Sequence, residues 1–237
     1  MYHNSFLNLI LFLLLSILLQ ENIIAQMSLG TTTRPGEIEI LNPYGRISIT
    51  KTSSEERKDI LGHPFYKDQI EIGLIYADSI LVDKRPIKYN ALKDEVEVYQ
   101  DSSIFYLSRN DKFKIKVNKE EGYYYQLKEY NDQNLYFIFF NEGTHSLALR
   151  MSKRITLGQE AETNYDRSTP PKYVKYQDLF IINNDTNKVY PIKLKKKFIL
   201  NILQDKKEKI TEYVSDKKLR YKKEKDVIKI LKYYDSL

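Results

Sequence analysis

The chain has 237 residues, a hydrophobic content of 42% and a formal charge of +6, so it is long enough to bury a core of its own. It contains no cysteine, which excludes disulfides, thiol nucleophiles, cysteine-ligated zinc and a lipidated N-terminal cysteine. Twenty tyrosines and ten phenylalanines without a tryptophan favour strands, because aromatic side chains suit half-buried pleated surfaces.

Residues 1–25 read as a signal peptide. The run Phe6–Leu19 is apolar except for Asn8 and Ser16, and it falls short of the about 20 apolar residues that a spanning helix needs. Small Ala25 stands where a signal peptidase cuts, making Gln26 the expected first mature residue. No Lys or Arg precedes Phe6, so the competing reading is an uncleaved anchor. Export to the periplasm or outer cell envelope is expected, with no stable transmembrane span after cleavage.

Residues 26–61 read as a tether with a short hairpin. Met27 to Pro35 is small and polar. Glu37–Ile40 and Arg46–Ile49 then alternate about the turn residues Asn42-Pro43-Tyr44-Gly45. Lys51 to Asp59 is polar, with Ser54 placed as an N-cap for a turn of helix.

Residues 62–192 carry the pattern of an antiparallel β domain. From Gln69, the residues Ile70, Ile72, Leu74 and Tyr76 share one face, and Glu71, Gly73 and Ile75 the other. Asp78-Ser79 turns the chain into Ile80–Tyr89, where Pro86 predicts an edge or a bulge because it donates no ladder bond. Glu95–Val98 and Lys112–Val117 alternate cleanly, and Gly122 suits a turn before Tyr123–Tyr125. Leu135–Phe140 is apolar on both faces, which predicts a central strand covered on each side. Further strands are expected over Thr144–Met151 and Arg154–Leu157. A polar, proline-containing stretch over residues 158–171 reads as a mobile loop. Tyr173–Ile182 and Lys188–Ile192 form a closing hairpin about Asn183-Asn184-Asp185-Thr186.

Residues 193–237 read as a basic helical segment. Fifteen Lys/Arg stand against seven Asp/Glu there, leaving 23 against 25 elsewhere. Leu194, Phe198, Ile199, Ile202 and Leu203 form a first stripe. Asp205 with Glu208 predicts a capping box for a second helix that turns Ile210, Tyr213 and Val214 inward. Val227, Ile230, Leu231 and Tyr234 form the buried stripe of a third.

Candidate chemistry is sparse. The mature chain has two histidines, His63 and His145. Thr144, His145 and Ser146 are consecutive, yet neighbouring strand residues point to opposite faces, so His145 does not serve Ser146 as a base. Glu95 and Glu97 share a strand face about 7 Å apart, as carboxylates on a solvated strand commonly do, and Asp94 adjoins them. Asn183, Asn184 and Asp185 offer oxygen ligands, but polar turns use the same residues. Tyr89-Asn90 and Asp94-Glu95 are best read as turn and register devices. The sequence therefore nominates no catalytic, cofactor-binding or metal-binding residue and no cofactor.

Several segments carry a resemblance. Gly62-His-Pro-Phe-Tyr66, Gly73-Leu-Ile-Tyr76, Pro86-Ile-Lys-Tyr-Asn90, Asp94-Glu-Val-Glu97, Leu203-Gln-Asp-Lys-Lys207 and Ile230–Leu237 occur in order. Together they resemble a family of uncharacterised exported bacterial proteins. The resemblance implies a signal peptide, a β-rich body and a C-terminal lysine-rich helical segment, and it supplies no activity. Its pattern leads one to expect Leu-Pro ahead of Asp-Lys-Lys, where this chain has Leu203-Gln204.

The expected fold is mainly β (α+β), an antiparallel meander curving towards a barrel or sandwich, followed by two or three short helices. The expected function is a non-enzymatic binding or interaction module whose partner is an envelope protein or an anionic envelope surface, with no nucleic acid expected. A carrier of a small apolar ligand in an aromatic-lined barrel is the alternative, motivated by Tyr123–Tyr125 and Leu135–Phe140. A hydrolase using the strand carboxylates stands third.

Overall fold

The computed structural model describes residues 37–42, 45–52, 60–101, 103–117, 122–159 and 167–237; the first two ranges are described as strands only. The signal segment with Ala25 and Gln26, the tether, Ser54 and part of the 158–171 loop lie outside the described residues.

Among the described residues twelve strands form one antiparallel sheet. In chain order they are β1 (Glu37–Asn42), β2 (Gly45–Thr52), β3 (Glu71–Ala77), β4 (Ile80–Asn90), β5 (Glu95–Gln100), β6 (Ser103–Leu107), β7 (Phe113–Val117), β8 (Tyr124–Tyr130), β9 (Gln133–Phe139), β10 (His145–Thr156), β11 (Lys172–Asn183) and β12 (Lys188–Ile192). Three helices follow: α1 (Lys196–Ile202), α2 (Lys207–Asp216) and α3 (Glu224–Asp235), with a 3-10 turn over Gln204–Lys206 between the first two. The spatial order is β1-β2-β6-β5-β4-β3-β7-β8-β9-β10-β11-β12. The sheet does not close, and β1 and β12 are its two edges.

The order departs from a plain meander at one place. β3 to β6 enter as a four-strand block with its last strand against β2 and its first against β7. The chain must therefore pass from β6 to β7 across four strand spacings, about 19 Å in a flat sheet. The link between Leu107 and Phe113 contains a turn, closed by the Phe113 N–H on Asn110 O at 3.1 Å. A turned link of this length reaches only if the sheet curls, which agrees with the expected curvature.

Turn chemistry sets the hairpins. Asp78, Asp94, Asn187 and the pair Asn131-Asp132 all adopt positive φ, which Asp and Asn tolerate better than other side chains. Asn131-Asp132 (φ 52° and 59°) form the two-residue loop between β8 and β9, the geometry that suits right-twisted strands. Pro86 lies in an interior strand. The β4–β5 ladder nevertheless ends at Ile87↔Val98, so Pro86 falls just outside it. The bulge lies nearby, where Ile75 pairs with Asp83 and Tyr76 with Leu81, leaving Val82 as the extra residue.

Each face of the sheet has its own core. Ile75, Ile87, Val96, Val98, Ile115, Tyr125, Tyr136 and Ile138 pack together on one face of the first half. Phe137, Phe139, Ala148, Phe180 and Ile182 pack on the opposite face of the second half, with Tyr124 stacked on Phe139 at 4.7 Å. β9 is thus buried on both sides, as its unbroken apolar run predicts. Gly73 is required by close packing: a Cβ there would lie 2.7 Å from Ile87 Cδ1 and 3.1 Å from Ile115 Cγ2.

The helices cover β10 to β12. Ile199, Leu203, Ile210, Val227, Ile230 and Leu231 bury against Leu147, Ile181 and Ile192. Two sequence expectations fail here. Phe198 is 40% exposed and Leu200 takes the inward place, because α1 spans only two turns and rotates Leu200 towards the sheet. The capping box does not form either. Lys206 is the N-cap of α2 and makes no side-chain capping bond, while Asp205 accepts the Tyr234 hydroxyl at 2.7 Å. Tertiary packing of α3 has claimed the carboxylate that local sequence assigns to a cap.

Candidate functional site

Four buried or half-buried polar clusters hold the residues from which chemistry would have to come. The first centres on Asp94 at the β4–β5 turn. Its carboxylate accepts the Tyr89 hydroxyl at 2.6 Å, Arg109 Nη2 at 3.0 Å, the Tyr136 N–H at 3.3 Å and contacts Arg150 Nη1 at 3.1 Å. Arg109 also donates to the Asp94 and Asn134 carbonyls, and Arg150 to Met151 O at 2.7 Å. One turn carboxylate thus ties together β4, the β6–β7 link, β9 and β10. Burial first, then the Asp94 charge, pushes the Tyr89 hydroxyl well above its ordinary range, so it remains a donor.

The strand carboxylates lie beside it. Glu97 is buried and accepts Asn90 Nδ2 and the Tyr99 hydroxyl, each at 2.9 Å. Asn90 Oδ1 in turn accepts the N–H groups of Leu92 and Lys93, which makes it the turn residue before β5. Glu95 is half-buried, and desolvation raises its pKa against the pull of Lys93 and Arg109. Glu95 and Glu97 share a face, but Glu97 has one oxygen committed to Asn90 on β4 and the other to Tyr99 on its own strand.

A third cluster joins Glu71, Tyr123 and Tyr125. The Tyr123 hydroxyl donates to Glu71, the Tyr125 hydroxyl approaches it at 3.4 Å, and Lys67 Nζ contacts Glu71 at 3.4 Å. Burial, with Glu71 second, holds Tyr123 protonated.

The fourth is built on His145. Its Nδ1 meets Asp235 Oδ1 at 2.6 Å, its Nε2 meets Asn183 Nδ2 at 3.1 Å, and its own N–H donates to Asp235 Oδ2 at 2.9 Å. Ser146 points the other way and its hydroxyl accepts Asn184 Nδ2 at 2.9 Å. The pair resembles a base and its orienting acid, but the far ring nitrogen ends on an amide. Asn183 Oδ1 accepts the N–H groups of Asp185 and Thr186, so of the three residues offered by sequence as oxygen ligands Asn183 is spent on its own turn, and Asn184 Nδ2 donates to Gly143 O and Ser146 Oγ. Among the described residues no three His, Asp or Glu side chains gather into a metal-binding group. His63 stacks beside Phe65, and its carbonyl accepts Lys153 Nζ at 2.6 Å.

The surface is different in character. Two grooves flank the ion pair between Lys116 on β7 and Glu142 in the β9–β10 turn (2.6 Å) and mix both signs of charge. A third, of about 480 Å³, lies between α1, α2 and the α2–α3 loop. Lys196, Lys218 and Arg220 line it with the hydroxyl-bearing Thr211, Ser215 and Tyr221, and no carboxylate is among its lining residues. Of the fifteen cations in the tail, all but half-buried Lys206 are exposed. Sequence gave the tail's charge; it could not reveal that Lys196 and Arg220 converge, because 24 positions separate them.

These features define an antiparallel β protein with a helical appendage and a cationic groove on that appendage. No family model, curated protein or solved structure matches the chain. Among the described residues no helix is long and apolar enough to cross a membrane.

Proposed function

We propose that the protein is an exported, non-enzymatic binding module of the cell envelope, related to the uncharacterised exported family it resembles, and that its C-terminal helices engage an anionic lipid surface. The observation that carries this reading is the groove of Lys196, Lys218 and Arg220, which has cations and hydroxyls but no carboxylate in its lining. The polar clusters support a non-enzymatic role, since Asp94, Glu97 and His145 spend their polar atoms on holding strands and α3 in place. A carrier role would need a void where Tyr89, Tyr125 and Tyr136 pack ring against ring at 5.3 and 6.0 Å.

The test is co-sedimentation of the full mature chain with vesicles of phosphatidylglycerol and, separately, of phosphatidylcholine. Binding is expected to the first only and to weaken with salt. Each cation near an anionic leaflet contributes about 1 kcal/mol, so the triple change Lys196→Gln, Lys218→Gln and Arg220→Gln should lower partitioning by about two orders of magnitude. Equal binding to both vesicles, or none to either, would overturn the reading. Binding to a soluble polyanionic glycan in place of vesicles would redirect it to that partner.

A further inference from the structure

The β10–β11 ladder runs without interruption from His145↔Asn183 to Thr156↔Lys172, but among the described residues β11 has backbone partners on its outer side only at its ends. β12 pairs with Leu179 to Asn183. At the other end Leu61 accepts the Tyr173 N–H at 3.0 Å and donates to Pro171 O at 2.9 Å. Residues of an antiparallel strand alternate in the side to which they offer backbone groups. Because Tyr173 and Leu179 face outward, so do Lys175 and Gln177. Their N–H and C=O groups have no backbone partner among the described residues. The opening from Tyr173 to Leu179 is about 20 Å long, enough for a strand of four or five residues between its flanks.

Charge marks what fits there. Lys153 and Lys175 are directly opposed across the ladder, a like-charge pairing that disfavours the sheet. Arg154 and Lys172 add two exposed cations, against the single carboxylate of Asp178 on this length of β11. Tyr176 is 45% exposed on the other face, with the Arg154 guanidinium 5.2 Å from its ring. A second copy presenting the same lysines would be repelled, which is how edge lysines ordinarily block self-pairing. A strand with a carboxylate beside Lys175 and an apolar residue beside Tyr176 would meet no such barrier.

We propose that the β11 edge between Tyr173 and Leu179 is a strand-addition site for an extended acidic segment of a partner protein. The backbone groups of Lys175 and Gln177 supply the hydrogen bonds, and Lys175, already opposed by Lys153, selects an acidic residue beside it. The site lies on the sheet, apart from the helical groove, so it stands or falls independently of vesicle binding.

The test uses the full mature chain and a fluorescent pentapeptide alternating Glu and Val, read by anisotropy. Two controls are the Lys/Val analogue and a Glu/Val peptide N-methylated on alternate residues. Binding is expected for the Glu/Val peptide, at least tenfold tighter than for either control. Gln177→Pro removes an N–H that the β10 ladder does not use, and should lower affinity at least tenfold with the fold intact. Lys175→Glu should do the same while retaining the backbone groups, which keeps the test decisive if the proline variant does not fold. Equal binding of the N-methylated peptide, or of the Lys/Val peptide, would overturn the proposal. Concentration-dependent dimerisation abolished by Gln177→Pro would overturn it in favour of a second copy.

Discussion

Asp235, two residues from the end of the chain, holds His145 with both carboxylate oxygens, one on the backbone N–H at 2.9 Å and one on ring Nδ1 at 2.6 Å. The contact docks the C-terminus of α3 onto the start of β10 across 90 positions of sequence. Asp235→Ala would leave Nδ1 of the buried His145 imidazole and a backbone donor unmatched, a loss of about 2 kcal/mol. Urea unfolding should register it, and hydrogen exchange should show the α3 amides losing protection before those of β9. Unchanged protection in α3 would mean that its apolar stripe alone secures the helix.

Asp94 is expected to be the most sensitive polar position. Its carboxylate and Arg150 are only 13% and 16% exposed, so Asp94→Ala takes the counter-charge from the half-buried Arg150 and the acceptor from the Tyr89 hydroxyl together. Breaking such a pair from one side costs about 3–5 kcal/mol, read as a fall in the urea midpoint. Asp94→Asn, which keeps one acceptor oxygen, should cost distinctly less.

Gly73→Ala tests the packing between β3, β4 and β7. The new methyl would press on Ile87 Cδ1, and overpacking of this kind costs about 1–3 kcal/mol. Ile87→Val removes that carbon. The double variant should therefore be more stable than the sum of the two single losses, and simple additivity in thermal melts would place the strain elsewhere.

Glu95 gives the protein a pH dependence of definite sign. Its folded pKa is raised by burial, so between the ordinary carboxylate value and the raised one the folded state binds more protons than the unfolded state. Stability from this group therefore falls as pH rises through that window. Glu95→Gln should raise the urea midpoint at pH 7 relative to the parent, and the difference should vanish in acid below the ordinary carboxylate value. A larger difference in acid than at neutral pH would reverse the assignment.

Much of the sheet is legible in alternation alone. β7 and the doubly buried β9 appear as their polar and apolar residues predict, whereas β3 turns its more apolar face outward, leaving Ile70 and Ile72 exposed while Glu71 and Ile75 are buried, and β5 buries Glu97 together with its valines. β6 is not legible, because Ser-Ile-Phe-Tyr-Leu has no alternation and is bounded by no glycine or proline. Strand order is also beyond local pattern: nothing near Thr52 says that its partner is Ile104, about fifty residues on. The polar clusters fail for the same reason. Asn90 and Asp94 are readable as turn residues, but Arg109, Arg150 and Asp235 reach their partners only after the sheet has curled. Asp205 is the instructive case, since its local signal is strong and a tyrosine on α3 outcompetes it.

The block insertion of β3 to β6 also bears on how the chain is made. The β1–β2 hairpin is complete early in synthesis, yet the strand it must join, β6, ends about fifty residues later. At about 5–20 residues per second, the hairpin waits roughly 3–10 s with an open edge. The β1–β2 hairpin is thus the last of the described strands of the N-terminal half to join the sheet, and it is over this interval that a chaperone would have something to hold.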